Sequence, residues 1–164
     1  MIVIGYQGIG KSTLANKESG YIDLESSCFW HDGFRPEDWY IYYCQIAEHL
    51  SSQGYVVFVS SHAAVQKQLR YSSEPVIIVY PAISLKDEWN KKLYVRYKNC
   101  PSDKNYKAWR NSEEMFEENI NGFEHSGYAC FQIDVMDYDL VKLIKTGNYL
   151  YPDVIPYRSI RKVL

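Results

Sequence analysis

The feature that most restricts this chain lies near its amino-terminal end. There an apolar run, Met1-Ile2-Val3-Ile4, passes straight into Gly5-Tyr6-Gln7-Gly8-Ile9-Gly10-Lys11-Ser12. The apolar run reads as a strand buried on both faces, and Ser12 to Lys17 opens a helix. Between them the spacing G-x-x-x-x-G-K-[ST] is complete at every required position. Glycines so placed let the backbone curl until successive N–H groups point inward at an anion. Lys11 then reaches the outer phosphates of a nucleoside triphosphate, and the Ser12 hydroxyl is placed to ligate Mg²⁺. The positive end of the following helix adds to the attraction. Gly8, Ile9, Gly10, Lys11, Ser12 and Thr13 are therefore the expected phosphate-binding residues. The alternative is a glycine-rich turn followed by an incidental Lys-Ser.

At 164 residues the chain is expected to form one domain with a core large enough to need no covalent staples. No apolar run approaches the length of a bilayer span, and with a strand starting at residue 1 no leader is expected. Soluble, cytoplasmic placement follows as the expectation. Net charge is −2, from 18 basic and 20 acidic side chains. That balance disfavours a general nucleic-acid coat or a membrane-surface role, leaving only a local basic patch open. Cys28, Cys44, Cys100 and Cys130 lack C-x-x-C spacing and read as reduced thiols, not as a zinc site or a disulfide frame.

Beyond the first helix, strands and helices alternate. Tyr21–Leu24 reads as a strand, and Pro36 opens a helix carrying Trp39, Tyr43, Ile46, Ala47 and Leu50. Tyr55–Val59 and Pro75–Tyr80 are further apolar strands, separated by a helix bearing Val65 and Leu69. A helix over Ser84–Tyr97 follows, with Leu85, Trp89 and Leu93 on one stripe. A polar stretch from Cys100 to Arg110 then precedes a helix started by Asn111, with Glu114 as its capping-box partner. Phe131–Val135 is the last strand. Leu140, Val141 and Ile144 ride on a helix after Asp137, and a basic tail runs from Gly147 to Leu164. Such alternation implies a parallel sheet covered on both faces, whose ligands bind beyond the carboxyl ends of the strands.

That rule gathers the polar residues that follow each strand. Asp23 is expected to hold Mg²⁺ beside Ser12, and Glu25 to orient an acceptor or take its proton. The competing readings are a turn formed by Asp23 with Ser26 and Ser27, and a merely solvated Glu25. Ser60-Ser61-His62 stands where many phosphate-loop enzymes carry a metal-positioning Asp. Here His62 is expected to contact substrate, unless Ser61 simply caps a helix. Arg96, away from the apolar stripe of its helix, fits a guanidinium that stabilises charge on the transferred phosphoryl group. A solvated basic face is the alternative. Arg110 is a second such cation, while Arg35 and Arg70 are read as acceptor-phosphate binders.

Three segments together resemble the small P-loop kinases, the group of nucleoside monophosphate, shikimate and gluconate kinases, including nucleotide-kinase-like proteins of phages and bacteria. They are Gly5–Ser12, Asp23-Leu24-Glu25, and Lys92-Leu93-Tyr94-Val95-Arg96. The second is similar to the D-x-D of shikimate kinases with Glu for the second Asp. The third is similar to the R-L-x-x-R lid signature with Lys92 for the first Arg. The resemblance implies a three-layer α/β P-loop NTPase sandwich, a five-stranded parallel sheet in the order 2-3-1-4-5, and a helical lid over residues 84–121. It also implies ATP with Mg²⁺, and transfer of the γ-phosphate to a small acceptor. Lys11, Asp23 and Arg96 would be catalytic, and Glu25, Arg35 and His62 would bind the acceptor, expected to be a nucleoside or nucleoside monophosphate. Two other readings stay open: a polynucleotide 5′-kinase using the tail residues Arg158, Arg161 and Lys162, and a nucleotide-binding regulatory protein without turnover.

Overall fold

Unbroken apolar sequence decides which strands are central. In the computed structural model, which describes residues 1–150 and side chains as far as residue 146, β1 (Ile2–Gly5), β3 (Val56–Val59) and β4 (Val76–Pro81) are buried almost throughout. β2 (Tyr21–Asp23) and β5 (Ala129–Ile133) are mostly half-buried and form the edges. All pairings are parallel, in one five-stranded sheet ordered β2-β3-β1-β4-β5. A parallel sheet needs both faces covered, which is why its inner strands show no polar alternation.

The connecting helices are α1 (Lys11–Lys17), α2 (Trp39–Ser52), α3 (Ala63–Leu69), α4 (Lys86–Asn99), α5 (Asp103–Glu124) and α6 (Leu140–Leu150). The chain leaves β1 toward one edge of the sheet and leaves β3 toward the other. Right-handed crossovers therefore send α1 and α3 to opposite faces, and α3 packs beside α2. The crevice between the carboxyl ends of β1 and β3 is the point where the winding reverses, the usual ligand position in open α/β sheets. Gly5–Ser12 and Ser60–His62 flank it.

Several boundaries differ from the sequence expectation. Pro36 does not open α2; its carbonyl accepts from Trp39 N at 3.2 Å in a turn that precedes the helix. The buried stripe of α2 is Trp39, Tyr43, Cys44, Ala47 and Ser51, while Ile46 faces solvent. The stretch expected to be a polar connection is mostly helix, because the Ser102 hydroxyl accepts from Asn105 N and caps α5 there. Glu114 is thus no capping partner; it lies inside α5 and pairs with Arg110. The last helix follows Asp137 as expected, and Asp139 caps it by accepting from Lys142 N at 3.1 Å. Helix α6 continues to Leu150, past the expected start of the tail at Gly147. Arg158, Arg161 and Lys162 lie outside the described residues. Among those residues no helix is long and apolar enough to cross a membrane.

α4 and α5 form an antiparallel hairpin where a lid was expected. Trp89 and Leu93 are fully buried, so its base belongs to the core. At its tip Tyr97 stacks on Trp109 with centroids 5.8 Å apart, and Tyr94 and Tyr106 pack against the same indole. These rings hold the two helices together beyond the sheet. Aromatic pairs of this kind contribute about 0.5–1.5 kcal/mol each beyond the area they bury.

Candidate functional site

The glycine loop is fastened at both ends and pressed from above. Tyr6 N continues the sheet by donating to Val79 O at 2.9 Å. The Tyr6 ring is buried against Phe116 and Phe123 of α5. Trp89 of α4 donates its indole N–H to Gln7 O at 2.9 Å, and the Gln7 amide donates to Asn111 at 3.2 Å. Gly8 has φ +86°, and a Cβ there would stand 2.9 Å from Leu93 Cδ2 and 3.2 Å from Trp89 Nε1. Both the conformation and the close approach of α4 require glycine. Ile9 points into the core, so it offers a ligand only its backbone. Gly10, with φ +95°, starts α1, leaving the amides of Lys11, Ser12 and Thr13 in the first turn without intrahelical partners.

Lys11 bends back over this loop, donating to Gly5 O at 2.7 Å and Tyr6 O at 3.2 Å. Burial pulls its ammonium down to about 8, although the charges of Asp23 and Glu25 oppose that fall. Lys104 and Arg96 push it further down, which places both near Lys11. Ser12 donates to Asp23 Oδ2 at 2.5 Å, so the Asp23 carboxylate is engaged by the loop and not by Ser26 or Ser27. Strand pairing stops at Asp23, but Glu25 keeps an extended backbone. Its carboxylate pairs with Lys104 at the start of α5. Arg96 is half-buried, its Nε is enclosed without a hydrogen-bond partner, and burial lowers its pKa against the pull of Cys100 and Glu25.

A second group lies at the ends of β2 and β3. The Tyr43 hydroxyl donates to Leu24 O at 2.7 Å and accepts from Ser60 N at 2.9 Å, joining the two strand ends. The Arg35 guanidinium sits over Trp39, its Cζ 3.6 Å from the ring centroid, and donates to Ser26 O at 2.5 Å. Ser61 does not cap α3; the residue preceding that helix is His62. Its ring stands edge-on to Trp39 at 5.5 Å, and loss of solvent on that side together with Arg35 lowers its pKa.

Lys11, Ser12, Asp23, Glu25 and Arg96 thus share one neighbourhood, with Arg35 and His62 beside it. Two other expected cations do not join them. Arg110 pairs with Glu113 and Glu114 on its own helix. Arg70 donates to Ser126 O at 2.9 Å, near Pro75 at the amino-terminal end of β4. Lys104 escaped sequence reading because its segment read as a connection. Lys92, the substituted lid residue, lies 4.3 Å over the Trp89 ring and donates to the Tyr138 hydroxyl at 3.4 Å. Nothing in the sequence singles out Tyr138 among 16 tyrosines.

The donor set around Ser12 suits one metal better than others. Among the described residues no cluster of three or more His, Cys, Asp or Glu is placed to hold an ion. One hydroxyl and one carboxylate match Mg²⁺, which keeps several waters and takes further oxygens from substrate phosphates. No protein-family model matches the sequence, and no curated protein matches it significantly.

Proposed function

We propose that this chain is a phosphotransferase of the P-loop kinase type, using ATP and Mg²⁺ to phosphorylate a small acceptor, a nucleoside or nucleoside monophosphate. The observation that carries the reading is the meeting of Lys11, Ser12, Asp23 and Arg96 around a loop whose glycines are conformationally required. In this reading, amides from Gly8 to Thr13 cradle the polyphosphate, and Lys11 exchanges its two carbonyl partners for phosphate oxygens. Ser12 and Asp23 would hold Mg²⁺, whose positive charge would offset that of the polyphosphate. Arg96, already desolvated and with a free Nε, meets charge that develops on the transferred group, where such a donor is most effective. The α4–α5 hairpin excludes water from the same space.

The test is consumption of ATP with Mg²⁺ across a panel of nucleosides and nucleoside monophosphates. Transfer to at least one acceptor, abolished by Lys11→Ala, is expected. The kinase reading fails if no acceptor consumes ATP faster than water does. It fails at its root if calorimetry finds no affinity for ATP or GTP.

A further inference from the structure

The net charge of −2 conceals a segregation. Residues 91–107, the tip of the α4–α5 hairpin, carry six Lys and Arg against one acid, Asp103. The rest of the chain carries twelve basic side chains and nineteen acidic ones. Like charges crowded into so short a stretch repel one another, so the fold by itself gains nothing from gathering them there.

Three of the six face the glycine loop or the core. Lys92 covers Trp89, Arg96 lies near Lys11, and Lys104 pairs with Glu25. Lys91, Lys98 and Lys107 are exposed and make no ion pair among the described residues. They stand on the outer side of the hairpin. On α4, positions 91, 94, 95 and 98 share one face, turned away from the buried Trp89 and Leu93. On α5, Tyr106, Lys107 and Arg110 share a face, while Lys104 and Asn111 turn to Glu25 and Gln7. The acids nearest this outer side are Asp87 and Asp103, at its ends, and Glu113 and Glu114, which Arg110 takes up.

Between the three lysines the surface is aromatic. Tyr94 and Tyr106 pack on the Trp109 indole at 5.0 and 6.0 Å, yet are 41% and 46% exposed. Lys98 Nζ lies 6.0 Å from the Tyr94 centroid. A solvated basic face accounts for lysines, but not for rings left in water among them. An acidic peptide would use the charges and leave the rings idle. Duplex DNA hides the faces of its bases inside the stack. A single strand offers a phosphate at each step and an open base face, and such strands are held by cations that track the backbone and rings on which bases stack.

We propose that the outer face of the α4–α5 hairpin, with Lys91, Tyr94, Lys98, Tyr106 and Lys107, binds single-stranded nucleic acid. The lysines take phosphates and the two tyrosines take bases, a mode that tolerates any base sequence because every base has a π-face. This surface is separate from the glycine loop and does not depend on the phosphotransferase reading.

The experiment is fluorescence anisotropy of the full chain with labelled dodecathymidylate, alone and annealed to its complement, with polyglutamate and phosphatidylserine vesicles as competitors. The single strand should bind at least tenfold tighter than the duplex. With about three phosphates neutralised, the logarithm of the binding constant should fall against that of salt concentration with a slope of about −2. The triple variant Lys91→Gln, Lys98→Gln, Lys107→Gln should weaken binding tenfold or more and flatten that slope. Lys67→Gln, Lys142→Gln, Lys145→Gln removes the same charge from exposed positions on α3 and α6 and should leave binding unchanged. Tyr94→Leu with Tyr106→Leu keeps apolar side chains on Trp109 and should weaken binding about fivefold or more at an unchanged Tm. If leucine lowers the Tm, the two lysine triples and the duplex comparison decide. Lys11→Ala should bind the strand as the wild type does. Equal affinity for the duplex, equal losses in the two lysine triples, or competition by polyglutamate or vesicles as strong as by unlabelled strand would overturn the proposal. So would loss of binding in Lys11→Ala, which would put the strand at the glycine loop instead.

Discussion

The Ser12 hydroxyl donates to the Asp23 carboxylate at 2.5 Å, joining the glycine loop after β1 to the end of β2, a strand two places away in the sheet. Strand β3 lies between them and is followed by Ser60, so under the proposed function a carboxylate on β2 would stand in for the one that β3 lacks. Asp23→Asn keeps an oxygen for Ser12 but removes the charge that would face Mg²⁺. Phosphoryl transfer should fall at least a hundredfold, and the Mg²⁺ concentration for half-maximal rate should rise at least tenfold. ATP affinity measured by calorimetry should change little. Unchanged turnover would return Asp23 to a purely structural role.

Lys11 supplies a pH test. Burial brings its ammonium to about 8, and a bound polyphosphate must raise it, so binding takes up a proton once the pH exceeds that value. ATP affinity at saturating Mg²⁺ should be flat from about pH 7 to 8 and then weaken by up to tenfold per unit above it. Lys11→Arg, which stays charged over this range, should lose the slope. A wild-type affinity that is level to pH 9.5 would contradict this.

The same residue makes a stability prediction of the opposite sense to its function. Its folded pKa is depressed below the unfolded value, so a cost of burying charge is fully present below about pH 8 and disappears as the pH approaches 10.5. The cost is of order 3 kcal/mol by the usual conversion. Lys11→Met removes it, and should raise the Tm of the ligand-free protein by a few degrees at pH 7 while abolishing ATP binding. A lower Tm would mean that the bonds to Gly5 O and Tyr6 O outweigh the buried charge.

How much of this was readable beforehand depends on which forces set each position. The inner strands and the Gly5–Ser12 loop were legible because local chemistry decides them: apolar runs need two covered faces, and the loop needs glycine regardless of the rest. Asp23, Glu25 and Arg96 were legible through the rule that ligands gather at strand ends. Lys104 was not, because Ser102 turns a polar segment into the first turn of α5 and brings the lysine to Glu25. Arg110 failed for a related reason, since a helix supplies it with Glu113 and Glu114 at close spacing. The exposed Ile46 and the buried Ser51 show the same limit on α2, where α3 and the sheet select the face.

Lys104 and Glu25 join the start of α5 to the loop after β2, across the mouth of the site. Both side chains are well exposed, and such pairs contribute about 0–1 kcal/mol. Lys104→Ala should therefore shift the Tm by less than about 3 °C. It should still release the tip of the hairpin, seen as faster amide exchange over residues 103–110. Because exposed pairs are screened by salt, wild-type protein in 1 M salt should approach the variant's exchange. Identical exchange in both would show that the pair does not hold the hairpin.

Tyr43 joins β2 to β3 through its hydroxyl alone, and its buried phenol stays protonated at any workable pH because burial drives its pKa upward. Tyr43→Phe preserves the ring packing against Phe29 and Trp39 but strands Leu24 O and Ser60 N. Orphaned groups of this kind cost about 1–3 kcal/mol, so the Tm should fall by roughly 3 to 10 °C. The strand ends it releases carry Glu25 on one side and His62 on the other, whereas Lys11 is anchored separately to Gly5 and Tyr6. Acceptor affinity should therefore weaken more than ATP affinity, by several-fold against less than twofold. Equal losses for both ligands would indicate that the hydroxyl supports the whole sheet edge and has no special bearing on the acceptor side.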